Sequence, residues 1–389
     1  MNRKLKLLVF LLARMFGVFA LFRILTRSRI RILCYHGGCI GDEHGYNPLL
    51  FCPADVFESR VRWLLDKGFN IIPLDKAVSM LAASASRPRL PTVITFDDGW
   101  FSTGHTLLPV LRKWDLPSTL YVCTEHFLQG WAVPAVTIRY IVWKSARTKL
   151  TLSGLHQDLD GSYDLGNPSS RQMLSERAVA WVSKTFHTRE EVHAGLHRFA
   201  DCLGVPEAAL ALESRRFEYL SRDELLRAQA GGCSIELHGH VHRYPAGDPA
   251  ALERDLQICR QTILAMGLPQ PGHYCYPSGN FDACAATALQ RMGVASATTC
   301  LPGLVATGGK DDRYYLPRFL DGGNVSALEF EAEMSGFTDF IRRCTGRLKA
   351  SLACVSRRFS THTACFLLAQ EMPRVILPEE TGLWLTFLL

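Results

Sequence analysis

A chain of 389 residues, 48% hydrophobic and 21% charged, has an ordinary globular composition, long enough for one large or two medium domains and outside the disordered and fibrous classes. Its net charge of +6 is unevenly placed: Arg3, Lys4, Lys6, Arg14, Arg23, Arg27, Arg29 and Arg31 all precede the first acid, Asp42, which leaves about −2 for the remainder and no nucleic-acid surface on the main body. The thirteen cysteines, with no Cys-x-x-Cys pair, fit neither a zinc ribbon nor a disulfide framework and read as mostly buried small residues in a reducing compartment.

Residues 5 to 25 (LKLLVFLLARMFGVFALFRIL) are apolar but interrupted by Arg14 and flanked by cations. No small-residue cleavage site follows, so residues 1–30 read as a membrane-associating arm, either a basic helix on an anionic membrane surface or a single spanning anchor. Free thiols and a basic arm together predict a protein at the cytoplasmic face of the inner membrane. After the arm, Arg31 to His36 reads as a strand, Ala54 to Lys67 as a helix, Phe69 to Leu74 as a strand and Asp75 to Ala83 as a helix. Thr92 to Phe96 is the next strand, followed by a helix near Thr106 to Trp114 and a strand at Ser118 to Cys123. The alternation resumes with a helix at Arg222 to Ala230, a strand at Ser234 to Leu237 and a helix at Pro249 to Met266. A strand at Tyr274 to Tyr276 and a helix at Asp282 to Met292 complete it. Such repeated βα units predict a parallel sheet, open or closed into a barrel. Residues 129–220 break the pattern and read as a largely helical insertion over one end of the sheet, and residues 341–389 form a tail, basic at first and apolar at its close.

Three stretches carry chemistry. In VITFDDGW, residues 93 to 100, two carboxylates follow an apolar strand, and Gly99 permits a bend that brings both to one site, as two metal ligands or as one ligand and one base. Helix capping is the plainer use of such acids. In LHGHVH, residues 237 to 242, a straight strand would set all three histidines on one face, whereas a turn after His238 makes His238 and His242 the converging pair and leaves His240 as a spacer. The βα context favours the turn. In HYCYPSGNFD, residues 273 to 282, the strand breaks at Pro277 and Gly279, and a backbone N–H near Tyr276 is placed to stabilise an oxyanion.

Taken in this order, each at a strand end, these stretches resemble the polysaccharide deacetylases, the NodB-homology group also called carbohydrate esterase family 4. The resemblance runs over roughly residues 31–340 and includes the opening ILCYH, the TFDDG motif, the approach YLSRDELLRAQAGGCSIELHGHVH, the YPSG turn and LPRF at residues 316 to 319. It implies a distorted (β/α) barrel of about seven strands, TIM-barrel-like, holding one divalent metal, usually Zn²⁺. Asp98, His238 and His242 match the metal triad, Asp97 the catalytic base, and Tyr276, Pro277 and Gly279 the oxyanion and substrate turn. Where the family carries an arginine beside the base this chain has Cys275, and Arg318 is the expected substitute. The family's late Leu-x-His has no match here; His36, rather than His362 of the tail, is the expected histidine near the site.

The implied reaction is hydrolysis of N-acetyl groups from an amino sugar of a polysaccharide or lipid-linked saccharide, with release of acetate. The alternatives are a non-catalytic saccharide-binding relative, or an esterase or deformylase on a related sugar. A glycosidase is disfavoured, because adjacent acids cannot flank a glycosidic bond at the roughly 5 to 9 Å separation such enzymes use.

Overall fold

The structure, a computed structural model, describes residues 2–82, 88–306 and 313–345. The apolar close of the tail and His362 lie outside the described residues. Among the described residues, those from 27 to 327 form one compact unit, and residues 2–26 form a second together with residues 328–345.

In the larger unit seven strands run parallel: β1 (Arg31–Tyr35), β2 (Pro91–Phe96), β3 (Ser118–Val122), β4 (Cys233–Leu237), β5 (His273–Cys275), β6 (Ser296–Thr298) and β7 (Phe319–Leu320). Their spatial order is β6-β5-β4-β3-β2-β1-β7. They curl through 247° as a half-barrel, consistent with the distorted barrel that the resemblance implies and with the parallel sheet expected from the βα alternation. The sheet is best knit at its centre, where Arg31 pairs with Thr92 through to Tyr35 with Phe96, and Ser118 with Cys233 through to Val122 with Leu237. A single register pair, Tyr274 with Leu237, joins β4 to β5. β1, β2 and β3 are buried along their whole length, which is why they are mostly apolar, with only a few buried polar residues such as Arg31 and Thr95, and show no apolar–polar alternation.

The elements missed by periodicity include the short ones and the helix Ala327–Ser335. Three-residue β6 and two-residue β7 are too brief to show a period. The expected strand Phe69–Leu74 contracts to Asn70–Ile71, paired beside the start of β2, because helix Leu74–Ala82 begins at once. The expected helix near Thr106 opens earlier, as a widened π turn over Thr103–Leu107, ahead of Pro109, which has no N–H to donate. The insertion is helical, with helices Pro134–Lys144, Pro168–Thr185 and Arg189–Cys202, but it also holds an antiparallel hairpin of Lys149–Leu152 with Gly161–Asp164. Its core, including Ile138, Trp181, Leu196 and Phe199, runs on to Trp100 in the loop after β2.

The parallel arrangement has one consequence for chemistry. His36, Asp97, His238 and Tyr276 are each the first residue beyond the end of β1, β2, β4 and β5, so one face of the sheet collects them all.

In the smaller unit the apolar arm is two helices, not one: α1 (Arg3–Met15) and α2 (Val18–Leu25), bent by 77°. The break falls at Gly17, whose φ of +71° is open to glycine and strained for other residues. Among the described residues no single helix is long and apolar enough to cross a membrane, although the bent pair passes that test together by length and composition. Phe10, Ala13 and Phe19 pack on Ala332, Phe337 and Ile341, so the arm shares a core with residues on both sides of the expected boundary at 340.

Candidate metal and acid–base site

The bend that separates the two aspartates starts one residue earlier than expected. Asp98 itself has φ +73°, followed by Gly99 at +96°, so a non-glycine residue takes the left-handed conformation. Such strain is concentrated at functional sites. Its effect is to split the pair: the Asp97 N–H still donates to Tyr35 O at 2.9 Å, while the chain at Asp98 turns toward the end of β4.

There Asp98 Oδ1 lies 3.2 Å from His238 Nε2 and 3.3 Å from His242 Nε2. Donors around a tetrahedral zinc with bonds of about 2.0 to 2.1 Å sit about 3.3 Å apart, so the spacing suits such an ion. Asp98 Oδ1 is buried with no hydrogen-bond partner among the described residues, whereas Oδ2 accepts from the Trp100 indole at 2.8 Å. His238 Nδ1 donates to Cys275 O at 2.9 Å; a carbonyl only accepts, so this contact leaves the Nε2 lone pair toward Asp98. Burial alone would raise the Asp98 carboxyl, but the two imidazoles outweigh it and hold the group well below the usual range. One carboxylate and two imidazoles form a donor set for a divalent ion that leaves a coordination position open.

His240 is turned away and locked. Its Nδ1 meets Thr124 Oγ1 at 3.0 Å, and its carbonyl accepts from Glu125 N at 3.0 Å. The Asp255 carboxylate accepts from His240 N at 2.8 Å and from Val241 N at 2.9 Å. Gly239, at φ +88°, is required in this turn, because a Cβ there would stand 2.8 Å from Asp255 Oδ2. Asp255 and helix Thr124–Gln129 thus fix the loop between the two imidazoles, the straight-strand alternative being absent.

Asp97 has the opposite surroundings. Arg318 grips it with two bonds of 2.7 Å, Nη1 to Oδ1 and Nη2 to Oδ2. The guanidinium is fully buried, also donating from Nε to Thr299 O at 3.0 Å and from Nη1 to Thr95 Oγ1 at 3.1 Å. Burial pushes the Asp97 carboxyl up, and the charge and hydrogen bonds of Arg318 overcome that and leave it far below the ordinary range. Cys275 stands 3.0 Å from Arg318 Nη2 and, with Cys34, 3.5 Å from Asp97 Oδ2. His36 Nε2 lies 3.9 Å from Asp97 Oδ2, and His36 Nδ1 has no hydrogen-bond partner among the described residues.

The YPSG turn corrects an expectation. The Tyr276 N–H is engaged with Thr298 O at 3.2 Å as part of the sheet, and the Gly279 N–H with Tyr276 O at 3.0 Å; Pro277 has none. None of these residues offers a free backbone donor to an oxyanion. The turn instead packs closely: Gly279, at φ +70°, leaves only 2.9 Å between an added Cβ and Cys300 Cβ, and the Tyr276 ring stacks on Tyr315 at 6.2 Å. Trp100, Asp255 and Thr124 escaped the sequence reading. Trp100 stood beside the DDG motif, but nothing in the order of residues marks an indole as the partner of a carboxylate two positions earlier.

Residues 182–297 match the family description Polysaccharide deacetylase, a stretch that contains His238, His242 and Tyr276 and begins after Asp97 and Asp98. Over that stretch, about 30% of its length, the chain is similar to the polysaccharide deacetylases. A putative polysaccharide deacetylase of Bacillus subtilis (strain 168), YxkH, is 28% identical over 95 residues, 24% of this chain and 32% of that protein, so the match spans about a third of the relative's length. Among solved structures, the Streptococcus pyogenes deacetylase PplD in complex with acetate is 15% identical and superposes over 79% of this chain and 99% of its own with a TM-score of 0.52, which shows the shared fold. IcaB from Ammonifex degensii, also 15% identical, covers 79% of this chain and 97% of its own at a TM-score of 0.49.

Proposed function

We propose that this polysaccharide deacetylase relative is a metal-dependent hydrolase that removes acetyl groups from the nitrogen of an amino sugar in a polysaccharide or lipid-linked saccharide. The observation that carries the reading is the convergence of Asp98 Oδ1, His238 Nε2 and His242 Nε2, beside a second carboxylate that a buried arginine keeps ionised.

Asp98, His238 and His242 would hold one divalent ion, zinc by the chemistry of the donors. When bound, such an ion supplies an acidified water and polarises the acetamide carbonyl. The protein's own residues then divide the proton work. Asp97, held anionic by Arg318, takes the proton from the attacking water; Arg318 also fixes the carboxylate plane so that the accepting oxygen stays aimed. His36, on the solvent side of Asp97, is the group placed to hand a proton to the departing amine. Trp100 and the Cys275 carbonyl orient Asp98 and His238 so that their free atoms face the shared space. The products are acetate and a free amine on the sugar.

The test is acetate release from N-acetylglucosamine oligomers by the zinc-loaded protein, compared with Asp97→Asn. The expected outcome is a loss of about 10²–10⁴-fold in kcat with the metal retained. Saccharide binding without turnover by the wild-type protein would establish the binding-module alternative instead, and turnover confined to O-acetyl or N-formyl sugars would establish the esterase or deformylase.

A further inference from the structure

α1 is apolar on two opposite faces, and only one of them is covered. Phe10 and Ala13 lie inward among Ala332, Phe337 and Ile341. On the other side Leu5, Leu8, Leu12, Met15 and Phe16 are 44% to 80% exposed, recurring at helical spacing as a single stripe. α2 adds Leu21, Ile24 and Leu25, each more than half exposed. Contiguous apolar surface of this kind marks an interaction site, unlike single exposed leucines.

The charges around the stripe say what covers it. It contains no carboxylate, since the first acid of the chain is Asp42. The cations of α1 are largely matched within the unit: Arg3 and Lys6 pair with Glu329 at 3.1 and 3.4 Å, and Arg14 with Glu331 at 3.4 Å. Read from sequence alone the arm is a strongly basic segment; folded, much of that charge has a partner. What remains is a broad aliphatic and aromatic face bordered by long cationic side chains, the composition that a lipid–water boundary accepts, because lysine and arginine extend from hydrocarbon to headgroup level.

We propose that α1 and α2 form a bent, in-plane anchor that lays this stripe into one leaflet of a lipid bilayer, held chiefly by apolar insertion rather than by surface charge. Each buried methylene contributes about 0.8 kcal/mol, whereas an ion-paired arginine has little left for distant headgroups. A span across the bilayer conflicts with the fold of the unit. Straightening the 77° bend would draw Phe10 and Phe19 away from Phe337, whose ring centroid lies 6.1 and 5.6 Å from theirs. This inference is independent of the deacetylase reading.

The test is flotation of the full chain with vesicles of phosphatidylcholine alone and of phosphatidylcholine with phosphatidylglycerol, at low and high salt. The protein is expected to float with both, with affinities within about threefold of each other. Leu8→Glu combined with Leu12→Glu, both at exposed positions, is expected to weaken binding at least about tenfold with an unchanged circular dichroism spectrum. In Phe16→Trp the new indole should be quenched more by lipids brominated near the headgroup than by those brominated at the chain ends. The proposal is overturned by flotation that requires anionic lipid and vanishes in high salt, by strongest quenching at the bilayer centre, or by no flotation of the wild type. It is equally overturned if the double variant floats unchanged, or if it instead dissolves a lipid-free dimer, which would make a second copy the occupant.

Discussion

Asp97 and Asp98 are neighbours in sequence, both buried, yet one carboxylate is fully engaged and the other holds an oxygen in reserve. Arg318 bonds once to each oxygen of Asp97, while among the described residues Asp98 Oδ1 faces the two imidazole nitrogens of His238 and His242. The left-handed backbone at Asp98 is what separates them, sending successive side chains to different partners. On the proposed function, the first position would stay charged and move a proton, and the second would complete a coordination sphere. Paired acids are thus informative less through their adjacency than through what each is given to meet.

The largest expected effect comes from breaking the Asp98 side. His238→Ala removes a donor whose ring is fixed by the Cys275 carbonyl, and zinc content after dialysis against a weak chelator should fall from about one per chain to near zero. His240→Ala, in a residue whose ring meets Thr124 instead, should keep its zinc; loss of metal there with retention in His238→Ala would reverse the assignment of ligands. Breaking the Asp97 side should act on stability instead. Arg318→Met leaves a buried carboxylate without its cation, a change of about 3–5 kcal/mol, read as a drop in the urea midpoint at pH 7. The deficit should shrink in Arg318→Met combined with Asp97→Asn, because no charge is then left unpaired. A double variant as unstable as the single one would show that Arg318 acts by packing and not by pairing.

The half-barrel and the donor set were legible because they depend on short-range signals. β1, β2 and β3 are short, mostly apolar stretches of five or six residues, β4 keeps Ile235 and Leu237 between polar neighbours, and site residues directly follow the ends of β1, β2 and β4. The Arg318 contact with Asp97 was within reach only through the resemblance, since 221 residues separate the two and no local pattern joins them. What could not be read depends on the third dimension. The Tyr276 N–H looked free because the strand that accepts it, β6, has only three residues and no period to announce it. The bend at Asp98 was credited to Gly99, because sequence favours glycine wherever φ is positive. The arm looked strongly basic because Glu329 and Glu331, which offset it, lie more than 300 residues downstream.

A third buried carboxylate extends the comparison to a group with donors but no cation. Glu236 accepts from Gly272 N and His273 N, both at 2.8 Å, near the start of β5. Those amides favour the ionised form, but burial outweighs them, and with Asp75 adding repulsion the group is pushed up to about 7. Because the folded value exceeds the unfolded one, the folded state binds the extra proton. Its contribution is fully present below the unfolded value, near 4.5, and is lost as pH rises through about 7. Asp97 has the reverse sign: its contribution is present above its unfolded value and is lost only on strong acidification. Glu236→Gln keeps an oxygen for the two amides and removes the ionisation. Urea unfolding of wild type and variant from pH 4.5 to pH 8 should therefore show the variant gaining relative stability as pH rises, by at most about 3 kcal/mol. A difference that stays flat across that range would mean that the two backbone donors suffice to keep a buried carboxylate ionised, and that the arginine at Asp97 serves to aim the base rather than to hold its charge.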